Sequence, residues 1–74
     1  MPTREVKSEI AGKVWKIEAG VGDSLEEEDP ILILESMKME IPVDAPFDCT
    51  LVEILVAEED PVAEGQTVAI VEEN

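Results

Sequence analysis

Seventy-four residues allow one domain, spanning 1–74, with a thin core, because a chain of this size hides only about 60% of the surface its unfolded form exposes. No His, no Tyr, one Cys and one Trp remove the usual general bases, the common transition-metal ligand sets and any internal disulfide, so no catalytic residue and no metal site is expected. Nineteen Asp and Glu against five Lys and Arg give a net charge of −14, which repels nucleic acid and anionic membrane surfaces and suits either plain solubility or encounter with a basic patch on a protein partner.

The chain opens on Met1-Pro2-Thr3-Arg4-Glu5, which lacks the apolar stretch of a signal peptide. No apolar run exceeds four residues, against the roughly 18 of a membrane-spanning helix. A lone Cys49 suits a reducing compartment, and the expected location is the cytoplasm, with no membrane partner. Apolar residues arrive in strand-length bursts: Val14 to Ile17, Ile31 to Leu34, Ile41 and Val43, Leu51 to Val56, Val68 to Val71. Between them stand Gly20-Val21-Gly22-Asp23, Glu28-Asp29-Pro30, Asp44-Ala45-Pro46 and Glu64-Gly65-Gln66, each with the Gly, Pro or Asp that a turn requires. Two stretches have helical character, Ser24-Leu25-Glu26-Glu27 as a capping box and Glu53 to Glu64 by composition. Pro30 and Pro61 cut both below the length of a stable helix. The fold class predicted is all-β. Trp15, the largest apolar side chain, is read as a core or core-edge anchor, and Cys49 as a small buried residue. The run Glu26-Glu27-Glu28-Asp29 lacks the spacing of a calcium loop and is read as a solvated turn.

Shifting the chain by 37 residues lays 11–35 on 48–72, with Ile17 on Ile54, Asp23 on Asp60, Glu27 on Glu64, Ile33 on Ile70 and Glu35 on Glu72. Apolar character agrees at most of the other positions, and the shift extends back to place Val6 on Val43 and Ile10 on Phe47. Residues 3–35 and 40–72 are therefore two copies of one multi-strand unit, with 36–39 as the joint. If a two-fold axis relates the copies, the image of the joint is the gap between Asn74 and Met1, so Lys38 and the termini lie at opposite ends. Strands 31–35 and 40–43 then form a hairpin that turns through Ser36-Met37-Lys38-Met39, while 68–72 runs beside 3–7.

That turn is chemically odd, because tight hairpins favour Asn, Gly or Asp and this one has none. Two flexible, polarizable methionines flank a lysine that a tight turn pushes into solvent. On pattern alone, a functional lysine and a surface lysine with methionines folded into the core stand as equal readings. Glu35-Ser36-Met37-Lys38-Met39-Glu40 resembles the E-A/S-M-K-M-E signature of the biotinyl/lipoyl attachment domain family in its biotin carboxyl carrier form. Ala11-Gly12-Lys13-Val14-Trp15-Lys16-Ile17 resembles that family's A-G-x-V-W-K-I block, and Val21-Gly22-Asp23-Ser24-Leu25 its V-G-D-x-V turn. Ile41-Pro42-Val43-Asp44-Ala45-Pro46 resembles its I-x-V-x-A-P return strand, and Glu64-Gly65-Gln66 its closing E-G-Q. The resemblance covers nearly the whole chain. It departs at Glu28 and Cys49, where the family usually has Gly and where a required φ > 0 would strain a side chain, and at Glu9, where Pro is common. The halves overlay without insertion, so no extra protruding loop is expected.

The resemblance implies a flattened eight-stranded barrel, a barrel-sandwich hybrid of two quasi-two-fold halves, with Lys38 exposed on the hairpin that joins them. It implies that a biotin protein ligase joins biotin to the Lys38 amine as an amide, with Met37 and Met39 as flanking recognition residues. The chain would then carry a carboxyl group from a biotin carboxylase to a carboxyltransferase, for example of an acyl-CoA carboxylase, as a non-catalytic carrier. A lipoyl carrier shares the implied fold and hairpin lysine but typically sets it in D-K-A, so Met37 and Met39 favour biotin. The remaining alternatives are an unmodified interaction module of the same fold, and an enzyme using Glu35 and Glu40 as acid and base. Exposed carboxylates would lack the burial that tunes pKa values for that second role.

Overall fold

The computed structural model describes residues 2–74, and these form eight β-strands and no helix. The strands are β1 (Thr3–Lys7), β2 (Gly12–Ile17), β3 (Ser24–Leu25), β4 (Pro30–Ser36), β5 (Met39–Asp44), β6 (Cys49–Ile54), β7 (Pro61–Val62) and β8 (Thr67–Glu73). They pair antiparallel in two four-stranded sheets, ordered β1-β8-β6-β3 and β5-β4-β2-β7, which stack as a flattened barrel sandwich. Neither helix-like stretch becomes a helix, and no helix long and apolar enough to cross a membrane occurs among the described residues.

Alternation along the strands follows from which side chains water rejects. Across β2, β4 and β5, the rows Val14, Leu34, Ile41 and Ile17, Leu32, Val43 turn inward, while the rows Lys13, Glu35, Glu40 and Lys16, Ile33, Pro42 turn outward. Ile31, Leu32, Leu34, Leu51, Val14, Val68 and Val71 are fully buried in one apolar cluster fed by both sheets. Each such side chain contributes about 1.5–3 kcal/mol of transfer free energy. The one buried polar side chain among the described residues, Ser8, satisfies itself locally: its hydroxyl donates to the Ile10 carbonyl and accepts from the Ile10 N–H at 3.2 Å.

The 37-residue repeat holds at the level of single hydrogen bonds. Lys13 pairs with Glu35 and Val14 with Leu34; their images Thr50 and Leu51 pair with Glu72 and Val71. The register slips between Val14 and Lys16 and again between Leu51 and Glu53, so a bulge is copied along with the strands. Asp23 recurs as Asp60 because both do the same work. The Asp23 carboxylate accepts the Gly20 N–H at 2.8 Å, and that of Asp60 accepts the Ala57 N–H at 2.9 Å, closing equivalent turns. The expected hairpin and terminal pairing are both present: Glu35 faces Glu40 across β4 and β5, and Thr3 faces Glu72 across β1 and β8. Each half thus lends its first strand to the last strand of the other.

Backbone geometry separates Glu28 and Cys49, the two positions at which the expected glycine is replaced. Glu28 has φ 75°, matching its image Gly65 at 83°, so the expected strain is real there. Cys49 is not in the left-handed region; it begins β6 with its side chain fully buried. Its image Gly12 does need to be bare, since a Cβ there would lie 2.7 Å from the Glu35 carbonyl oxygen. A second strained glutamate, Glu59 at φ 78°, is the image of Gly22 at 95° and went unnoticed in the sequence. Trp15 also departs from expectation. It occupies the copied bulge, whose extra residue is turned off the inward row, and 45% of its surface meets solvent.

Left-handed φ costs an L-residue about 1–2 kcal/mol, whereas glycine's extra unfolded-state freedom costs about 0.5–1 kcal/mol. Glu28→Gly, which breaks no ion pair among the described residues, should therefore stabilise the fold by roughly 0.5 kcal/mol in a urea melt. Gly12→Ala should destabilise it by about 1–3 kcal/mol, because the contact is with backbone that must move. A midpoint that is not raised in the first variant, or not lowered in the second, would refute the corresponding assignment.

Candidate functional site

The joint between the halves is a two-residue connection. Ser36 and Met39 close the β4–β5 ladder, and the two residues between them both sit in the left-handed region, Met37 at φ 51° and Lys38 at φ 66°. Positive φ at both central positions is the type I′ form of a two-residue hairpin, whose twist matches that of the flanking strands and which Asn-Gly usually fills. Here two side chains that resist that geometry are held in it by a fully paired ladder below. The base of the hairpin is pinned sideways as well. The Ser36 hydroxyl donates to the Ala11 carbonyl at 2.9 Å, and bare Gly12 lets β2 close against Glu35 and Ser36. The pairing of sheet and turn therefore presents Lys38 at the tip of a hairpin braced at its base.

All four residues of the tip region that matter chemically are open to water: Lys38 and Glu40 are exposed, Met37 is 92% exposed and Met39 63%. Methionines folded into the core are thus ruled out in favour of methionines on display. Three ion pairs occur among the described residues, Arg4–Glu73, Lys13–Glu59 and Lys16–Glu18, and Lys38 belongs to none of them. Glu35 and Glu40 stand directly opposite each other below the tip, an unfavourable like-charge pair that leaves the local field negative. A groove of about 430 Å³ opens elsewhere, between the edge strands β1 and β5, and no residue from 36 to 39 lines it. Nothing at the tip encloses a substrate. Cys49 is no nucleophile either: burial, reinforced by the neighbouring Asp48 carboxylate, pushes its thiol pKa up.

What the arrangement can do is present one primary amine, unpaired and accessible, to a visiting active site. Lys38, Met37 and Met39, all singled out from the sequence, come together at this point. Ser36 and Gly12 did not stand out as supports. The signal for them was the odd turn itself, since a hairpin lacking Asn and Gly must be braced by its surroundings.

Comparison with known proteins places this geometry. The model of the family described as "Biotin-requiring enzyme" matches residues 3–72. The chain belongs to that family. A "Biotin/lipoyl attachment protein" of Bacillus subtilis is 42% identical over 60 residues, covering 81% of this chain and 82% of the relative. A "Biotinylated protein TB7.3 homolog" of Mycobacterium leprae is 33% identical over 67 residues, covering 90% and 94%. In the solved urea carboxylase of Kluyveromyces lactis, a segment superposes on 96% of this chain with a TM-score of 0.91 and 35% identity. This chain spans only 6% of that carboxylase. Biotin is the cofactor of the family, and its barrel-sandwich fold is the fold observed here.

The strain at the tip can be measured. Replacing Met37→Asn together with Lys38→Gly installs the preferred two-residue turn and should raise stability by about 1 kcal/mol. For a domain of this size that is about 4–8 °C in thermal midpoint. An unchanged midpoint would show that the turn is relaxed as it stands.

Proposed function

We propose that Lys38 is the site of covalent biotin attachment and that residues 1–74 act as one biotinyl domain. The domain ferries a carboxyl group from a biotin carboxylase to a carboxyltransferase, such as that of an acyl-CoA carboxylase. The observation that carries this reading is the exposed, unpaired Lys38 at a strained two-residue turn between Met37 and Met39, in a chain of the biotin-requiring family. The residues fit the group: the amine is open on a rigid hairpin, so a ligase can reach it and form an amide with the biotin carboxyl group. Attachment removes the lysine charge. Bound biotin would supply the ureido nitrogen that holds the carboxyl group, and this chain's residues supply only the mount. A tether of this kind raises effective concentration at two successive sites without release of the cofactor, which explains a carrier with no His and no enclosed site. The exposed Met37 and Met39 provide an adaptable apolar surface for ligase and transferase alike. They support biotin over lipoate, as does the name of the mycobacterial relative. The proposed setting is the cytoplasm.

Coexpression with a biotin protein ligase should add one biotin by intact mass and confer avidin binding, and Lys38→Arg should abolish both. An unlabelled wild type or a labelled Lys38→Arg would overturn the assignment. Met37→Ala and Met39→Ala should slow later carboxyl transfer while shifting stability by less than about 0.5 kcal/mol, as exposed positions do.

A further inference from the structure

The internal repeat provides a comparison that few folds allow, because each position has an image with the same strand pairing and the same bulge. On the outer face of the β5-β4-β2-β7 sheet, the strands that carry the tip present Lys13, Glu35 and Glu40 in one row. The next row is Lys16, Ile33 and Pro42, with Trp15 at the bulge. The images on the other sheet are Thr50, Glu72 and Thr3, then Glu53, Ile70 and Glu5, with Val52 at the bulge. Since pairing is equal on both faces, the strands do not require Trp where Val serves, Lys where Glu serves or Pro where Glu serves. The tip-bearing sheet thus has an apolar band, Trp15, Ile33 and Pro42, on a chain of net charge −14. Val52 and Leu55 are exposed on the other half as well, but there Glu5 stands where this face has Pro42, and Val stands where it has Trp.

Area points to the same face. A specific protein contact takes about 800 Å² from each partner, and the whole chain exposes 4576 Å². Four tip residues cannot supply that, so an enzyme that makes a contact of this size around Lys38 spreads down the strands that hold it. Strand addition along the β5 edge is disfavoured, because Pro42 has no N–H to offer. The outer face remains. Its cations each have a carboxylate neighbour, Lys13 with Glu59 at 3.2 Å and Lys16 with Glu18 at 4.0 Å, while Glu35 and Glu40 have no ion-pair partner among the described residues.

We propose that the outer face of the β5-β4-β2-β7 sheet, anchored by Trp15, is the docking surface for the protein ligase that modifies Lys38. The matching ligase surface is an apolar pocket rimmed by Lys or Arg. Exposed tryptophan is the side chain most enriched at energetic centres of interfaces, and the surplus carboxylates complement a basic rim. The inference rests on the biotin-carrier reading.

The test is steady-state biotinylation of the purified chain by a bacterial biotin protein ligase with ATP and biotin. Trp15→Val copies the residue at the image position, and a urea melt checks that the variant is folded under the assay conditions; Val52→Ser on the opposite face is the control. Trp15→Val should raise the KM for the carrier about tenfold with kcat within about twofold, whereas Val52→Ser should leave both within about twofold. The chain's single tryptophan gives a second readout: with a ligase whose own tryptophans are replaced by phenylalanine, its emission should shift to the blue on complex formation. Equal KM for the two variants, or an unshifted emission, overturns the docking face while leaving Lys38 as the attachment site. A wild type that takes no label overturns the carrier reading and the docking face together.

Discussion

Everything else in this molecule depends on the exchange of strands between its two halves. β1 finds its partner in β8 and β5 finds its partner in β4, so neither half has a complete sheet without the other. Backbone groups buried without partners are costly, and the exchange satisfies both edges at once. Its consequence is a crossing point. The chain passes from one half to the other in two residues, and both take positive φ to match the twist of the ladder below. Lys38 is exposed because it lies where the topology leaves no room for anything but a turn.

That constraint explains how a small chain with few chemical groups can be useful. A thin core of valines, leucines and isoleucines cannot wall off a polar cavity, and the groove between β1 and β5 lies apart from the tip. What such a scaffold does well is hold one amine still at the end of a stiff ladder, braced by the Ser36 hydroxyl and by the bare Gly12 beneath it. The strain at Met37 and Lys38 is tolerated because the ladder, the bulge and the copied turns are all satisfied elsewhere.

Duplication also gives an internal standard for separating structure from use. Where images agree, as with Asp23 and Asp60, a shared hydrogen bond accounts for the agreement. Where they need positive φ, the halves divide the cost differently, with Gly22 against Glu59 and Gly65 against Glu28. Where images differ with no difference in pairing, as with Trp15 and Val52, strand pairing does not account for the choice. Of these, only the glutamate strain at 28 was anticipated, from a departure in the turn pattern; Glu59 could have been found by asking what stands opposite Gly22.

The sequence by itself determined the period of 37, the all-β class, the hairpin between the copies and Lys38 at its tip, because these follow from local alternation, turn residues and self-similarity. Only the tertiary structure decided that Met37 and Met39 face water rather than the core, that Trp15 is turned outward by a bulge, and that Cys49 is unstrained while its image Gly12 must be bare. Those outcomes turn on which strand passes within a few ångströms of which, and the exchange of strands sets those distances between residues far apart in the chain.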